Sequence, residues 1–171
     1  MTDTPANLLC KACGLCCSGH LFSWVRLNAP ELDPVEKLGI KVIRNDPRQR
    51  GFLQPCSMWQ STCVIYASPD YPRSCKKFNC QVLRRLQDDD ISFPEAMAMV
   101  AEILELIREI ESILPGSANE SFRERMIAQK ERLEIKPELL PYEEELLSKT
   151  RKLLDWYIYR FGVDEFLDYE N

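Results

Sequence analysis

The run Cys10-Lys11-Ala12-Cys13-Gly14-Leu15-Cys16-Cys17 decides how the rest of this chain of 171 residues is read. Four thiols occupy eight consecutive positions there, and Cys56, Cys63, Cys75 and Cys80 follow, so all eight cysteines precede residue 81. A gap of two residues lets successive sulfurs face one point at the metal–sulfur distance of about 2.3 Å. Cys10, Cys13 and Cys16 meet that rule, with Gly14 permitting the backbone reversal of a tight knuckle. Cys17 points elsewhere and belongs to a second centre or closes the first from another side. The simplest arithmetic is two four-coordinate sites interleaved between residues 10–17 and 56–80. Thiolates suit zinc and iron–sulfur clusters alike, so the residues do not name the metal. Such sites release about 10–16 kcal/mol on binding, more than a small cysteine-rich lobe gains from a thin core.

Other readings of the thiols are weaker. Four disulfides need an oxidising compartment. The opening residues MTDTPANLLC carry an early acid and lack the apolar run of about seven to fifteen residues of a secretion signal. No uncharged apolar stretch approaches the roughly eighteen residues of a membrane span. The expectation is therefore a soluble cytoplasmic protein with no membrane partner, in which clustered cysteines ligate metal or do redox work. A thioredoxin-type pair at Cys13 and Cys16 lacks its βαβ context.

The chain changes character after Cys80, and the predicted fold class is α+β: a small cysteine-rich lobe over residues 1–80 with short strands, closed by a helical segment, 81–171, that packs on it. Residues 1–9 read as a frayed lead-in. A strand is expected from Leu21 or Phe22 to Leu27 and a short helix from Ala29 to Leu38, stopped by Gly39. Lys41–Arg44 reads as a strand and 45–51 as a polar turn. Gly51–Pro55 and Thr62–Tyr66 are expected to form a hairpin. Helices follow at Gln81–Gln87, then from the capping box Ser92-Phe93-Pro94-Glu95 to Leu114. The apolar face of that second helix comprises Met97, Val100, Ile103, Leu104, Ile107, Ile110 and Leu114. Pro115-Gly116 stops it. Ser121–Glu134 and Pro141–Phe161 are the last long helices, the latter presenting Leu146, Leu147, Leu153, Leu154, Tyr157 and Phe161. One more turn is expected over Val163–Tyr169.

CKACGLCC, CSMWQSTCVIY and PRSCKKFNC together resemble the CxxCxxCC cysteine-cluster family named after YkgJ, a zinc- or iron-chelating family. There the knuckle is followed by a block of the form Cx5-8CxIYxxRPxxCRxFxC. Cys56 and Cys63 match its start, Val64-Ile65-Tyr66 the IY step, and Cys75, Phe78 and Cys80 its end. The interval from Tyr66 to Cys75 is two residues longer than the pattern, Pro72-Arg73 reverses the Arg-Pro pair, and Lys76 stands where Arg is usual. The resemblance covers residues 10–80 and implies zinc or iron–sulfur binding, with Cys10, Cys13, Cys16, Cys17, Cys56, Cys63, Cys75 and Cys80 as ligands. It names no single activity, although a similar cluster occurs in the larger flagellin lysine methylases.

The expected function is that of a metal-binding protein whose partner is the metal ion or cluster. The alternative is a metal- or iron–sulfur-dependent enzyme, redox or protein-modifying. A protein partner stays open; nucleic acid is not expected. Residues 1–80 carry ten Lys and Arg against six Asp and Glu, and 81–171 carry twelve against twenty-one, a net −5 overall. That acidic balance shows no single basic stripe. No GxGxxG or GxxxxGK loop is present. His20 is the only histidine and reads as incidental beside a complete cysteine set. Arg73, Lys76 and Lys77 read as a solvated loop, with hydrogen bonds to thiolates or phosphate as their alternative. Trp24, Trp59, Tyr66 and Phe78 read as packing around the centre rather than as a stacking platform for bases.

Overall fold

A computed structural model of the chain describes residues 4–117 and 120–164. The fold is α+β, with seven α-helices and one two-stranded antiparallel sheet among the described residues. It divides into two compact units, Met1–Asn79 and Cys80–Asn171.

The first unit opens with a helix rather than the expected frayed lead-in. Thr4 is extended, its hydroxyl accepts the Asn7 N–H at 3.2 Å, and Pro5 stands at the first helical position. That combination starts α1, Pro5–Cys13, because it satisfies an otherwise orphaned amide and presets φ. Cys10 and Cys13 are thus helical residues rather than parts of a knuckle. The helix stops at Gly14, whose φ of 66° is left-handed. A side chain there would also collide with Trp59, since a Cβ would lie 2.0 Å from the indole ring.

The sheet pairs β1, Trp24–Arg26, with β2, Gly51–Leu53, in the register Trp24–Leu53, Val25–Phe52 and Arg26–Gly51. A Cβ on Gly51 would sit 1.9 Å from the Val25 carbonyl oxygen, so only glycine lets the strands approach there. Three expectations are corrected. The first strand is shorter than Leu21–Leu27. Lys41–Arg44 forms no strand and contributes only the bridge of Ile43 to Gly51. The expected hairpin of 51–55 with 62–66 does not form: β2 pairs with β1, and Cys63 bridges Trp59 instead. Burial explains the choice, because this pairing sends Phe52 into a core with Leu27, Leu32, Val35 and Ile40.

A 3-10 turn, Ala29–Glu31, runs into α2, Leu32–Lys37, which ends at Leu38-Gly39 close to expectation. Glu31 accepts the Asn28 N–H through one oxygen and the Arg73 N–H through the other, both at 2.8 Å. Its carboxylate therefore fastens α2 to α3, Arg73–Lys77, and Ser74 adds a hydroxyl bond of 2.6 Å to the Arg26 carbonyl in β1.

In the second unit the helices are α4, Gln81–Gln87; α5, Phe93–Ile113; α6, Phe122–Glu134; and α7, Pro141–Asp155, extended by a π-turn over Trp156–Arg160. The Ser92/Glu95 capping box is present, with the serine N–H donating to the glutamate at 2.7 Å. On α5 the buried stripe is Ala96, Val100, Ile103, Leu106, Ile107, Ile110 and the capping Leu114. Leu106 takes the place expected of Leu104, which is half-buried at the edge. The arc is widened because α5 packs against both α4 and α7. Leu146, Leu147, Leu153, Leu154, Tyr157 and Phe161 are all buried, as the helical spacing requires. Residues 165–169 of the expected final turn lie outside the described residues. No helix among the described residues is long and apolar enough to cross a membrane.

Candidate functional site

All eight cysteines are thiols, and each is half-buried. Cys10 and Cys13 ride on α1, one turn apart. Cys16 and Cys17 lie in the turns that follow, where Ser18 N–H bonds the Gly14 carbonyl at 2.8 Å. Cys75 is the middle residue of α3. Cys80 belongs to the second unit, where its sulfur caps α4 by accepting the Leu83 N–H at 3.4 Å.

A relay of backbone bonds brings the two halves of the cysteine set together. Cys56 N–H donates to the Cys17 carbonyl at 2.8 Å, Trp59 N–H donates to the Cys56 carbonyl at 3.0 Å, and Trp59 bridges Cys63. The Trp59 indole then lies on Gly14 at the end of α1. Residues 46 positions apart in sequence are thereby placed side chain to side chain: Cys17 hydrogen-bonds Cys63.

The electrostatics identify Cys63 as the electron-rich member of that pair. Its thiol is pulled down to about 6, first by the hydrogen bond from Cys17 and, against burial, by the Ile65 N–H, the Tyr71 hydroxyl and the Lys11 charge. Cys17 is pushed up, first because its proton is held by Cys63, then by burial and the neighbouring Cys16, Cys63 and Cys75. Burial pushes Cys75 up to about 12, aided by Cys56, Cys63 and Glu31. Burial likewise raises Cys56, against the Met58 N–H. Cys56 and Cys75 both pack on the apolar core of this unit, which accounts for that desolvation. Cys80 is raised by burial too, countered by the Leu83 and Val82 amides.

Tyr71 joins the sulfurs electrostatically and was not among the residues expected from sequence. Its hydroxyl is raised by burial and by the sulfurs of Cys75, Cys63, Cys17 and Cys10. It falls within the interval between Tyr66 and Cys75 that is longer than the family pattern, so the departure itself was the available signal. Its ring packs on Tyr66 with centroids 5.2 Å apart, and the Tyr66 hydroxyl donates to Asn7 of α1 at 3.0 Å. Lys11 lies 5.1 Å from the Tyr66 centroid.

His20 pairs through Nδ1 with the Ser18 hydroxyl at 2.5 Å. Arg73, Lys76 and Lys77 are exposed on α3. The aromatic residues pack: Phe22 meets Phe78 edge-on at 4.9 Å, and the Trp24 indole N–H donates to the Gln49 carbonyl at 3.0 Å.

The donor set is soft, as zinc and iron–sulfur centres require. In the arrangement described, however, no three His, Cys, Asp or Glu side chains among the described residues are grouped so as to hold a metal ion. The first unit gathers the thiols without drawing them onto one point. Comparison with known proteins found no matching family model, no significantly similar curated protein and no significantly similar solved structure.

Proposed function

We propose that the first unit is a metal-binding module that takes zinc or an iron–sulfur cluster on its cysteines, as the resemblance to the CxxCxxCC family implies. The observation that carries this reading is the set Cys17, Cys56, Cys63 and Cys75: separated in sequence, they act on one another's charge within one unit. Cys10 and Cys16 adjoin that set, through Tyr71 and Cys17 respectively. Because the sulfurs do not converge as they stand, uptake of an ion draws them together and lets them lose their protons to it. Cys80 enters the ligand set by the family pattern alone. A cytoplasmic setting belongs to the same reading, since reducing conditions keep thiols available.

A second reading, an enzyme, is favoured by one feature. Cys63 has three hydrogen-bond donors and a lysine charge aimed at its sulfur, the environment of an activated thiolate.

Anaerobic purification followed by metal and acid-labile sulfide analysis tests the proposal. Stoichiometric zinc, or iron with sulfide, is the expected result. A folded protein with all its thiols titratable and no affinity for either metal rules it out.

A further inference from the structure

The outer side of α7 is charged in a pattern that its own chain leaves partly unanswered. Glu144, Glu145, Ser148, Arg151, Lys152 and Asp155 recur there at helical spacing, and all are exposed. Among the described residues, the ion pairs of α7 engage Glu143, Glu145, Lys149 and Arg151. Glu144, Lys152 and Asp155 stay outside them, with Lys152 lying over the Trp156 ring, 4.8 Å from its centroid. Between the charges the surface is hollow: about 430 Å³ opens around Ser148, with Leu139 and Leu147 supplying its apolar lining. Counted outward from Ser148, Glu144 and Glu145 stand four and three residues toward the N-terminus, and Arg151 and Lys152 three and four toward the C-terminus. A second α7 crossing antiparallel at Ser148 therefore sets the acids of each copy opposite the bases of the other, about 5–6 Å along the axis from the crossing point. Every contact then occurs twice, as a two-fold interface requires.

We propose that this side of α7 is a self-association face, and that its occupant is the α7 of a second copy of the chain, crossing antiparallel over the two Ser148 residues. The small side chain of Ser148 lets the helices approach, and the hollow around it gives the facing side chains room. Pro141 and Asp155 are also equidistant from Ser148, so Asp155 meets the N-terminal end of the other α7, where the helix dipole favours an anion. In its own helix Asp155 is the last residue, where the dipole opposes it. The dipole of a single helix accounts for acids first and bases later; it accounts neither for the closing acid nor for the hollow. A basic peptide or a nucleic acid would match one half of the face and be repelled by the other, whereas a second copy matches both. Ion pairs at the rim of such an interface are individually weak and screened by salt, so the dimer is reversible. It does not depend on whether the thiols take metal.

The test is sedimentation velocity on the full-length protein, purified anaerobically, over the micromolar to millimolar range. A monomer–dimer equilibrium is expected, shifting to monomer in about 1 M salt, where the screening length is about 3 Å. Ser148→Arg, at an exposed position, puts a cation at the crossing point of both copies and should raise the dissociation constant about a hundredfold. Two charge-reversed proteins read the register: Glu144→Lys with Glu145→Lys, and Arg151→Glu with Lys152→Glu. Each alone sets like charge against like and should be monomeric. Mixed, they restore opposite charges across the face and should form a heterodimer. A chain that stays monomeric at millimolar concentration overturns the proposal and leaves the face to a different partner. A dimer that survives Ser148→Arg overturns it as well, as does a folded pair of reversed variants that fails to combine. If circular dichroism shows that a reversed variant does not fold, the unmutated protein and Ser148→Arg decide the matter alone.

Discussion

The two units solve the problem of staying folded in different ways. The second, Cys80–Asn171, is built from helices that bury continuous apolar stripes; Ile103, Ile110, Met126 and Leu153 have no appreciable exposure. The first, Met1–Asn79, has one long helix, two strands of three residues and a small apolar cluster centred on Phe52. Beyond that cluster and the buried Leu9, Leu15 and Leu21, it relies on individual tethers: Glu31 between two amides, Ser74 on β1, Tyr66 on Asn7, and the relay from Cys17 through Cys56 to Trp59 and Cys63. Repetitive apolar burial spreads stability over many residues, whereas tethers concentrate it at a few. The difference teaches that the second unit should suffer most from lost volume and the first from lost geometry.

The largest effect expected is that of Ile103→Ala. It opens a cavity in the α5 stripe and should cost about 2–5 kcal/mol in denaturant unfolding. A cost near zero would break the comparison, since the stripe would then not be what holds the helices.

Gly14→Ala probes the opposite regime. It adds one methyl group at a left-handed residue where the Trp59 ring leaves no room. The conformation alone costs about 1–2 kcal/mol, and the indole must move. Loss of stability with a red shift of Trp59 emission, isolated by replacing Trp24 and Trp156 with Phe, is the expected outcome. Unchanged emission would mean that the α1 terminus and the second cysteine block are not coupled through this contact.

The smallest effect concerns a buried charge in the helical unit. Glu143 is held below its usual 4.5, first by the Lys136 ammonium and then by the Leu140 N–H at the start of α7. A carboxylate depressed in the folded state adds stability above its unfolded pKa, and that stability is lost as the pH falls through the folded value. Acid unfolding below about pH 4.5 should therefore be partly relieved of its pH dependence in Glu143→Gln, which is also less stable at neutral pH. Identical pH profiles for the two proteins would show that apolar burial acts there without help from charge.

The same contrast governs how much was legible in the sequence. Helices with long stripes and explicit stops declared themselves: Gln81–Gln87 is as expected, and Ser92-Phe93-Pro94-Glu95 opens α5 as its chemistry demands. The strands were harder, because three residues contain barely one apolar alternation. What β2 pairs with is settled by where Phe52 is buried, and this is tertiary information. The start of α1 was legible in Thr4-Pro5 but was masked by the assumption that a chain terminus frays. Of the candidate site, the cysteines stood out by their spacing alone. Tyr71 and Lys11 did not, because their role comes from position around Cys63 and no motif announces it. The π-turn over Trp156–Arg160 had no sequence sign either, since Tyr157, Ile158 and Phe161 keep ordinary helical spacing.

The bond from Cys56 N–H to the Cys17 carbonyl has a topological consequence. Everything between those residues, including both strands and α2, leaves one point of the thiol cluster and comes back to it. The excursion is a closed lasso, and its contour length is decoupled from the position of the sulfurs. The polar stretch from Asn45 to Arg48, before Gln49 and Arg50 are tied to Trp24 and Leu27, can lengthen by several residues for a fraction of a kcal/mol in closure entropy, while Cys17 and Cys56 stay where they are. Length changes within the loop leave the backbone bond at its neck, between Cys17 and Cys56, in place.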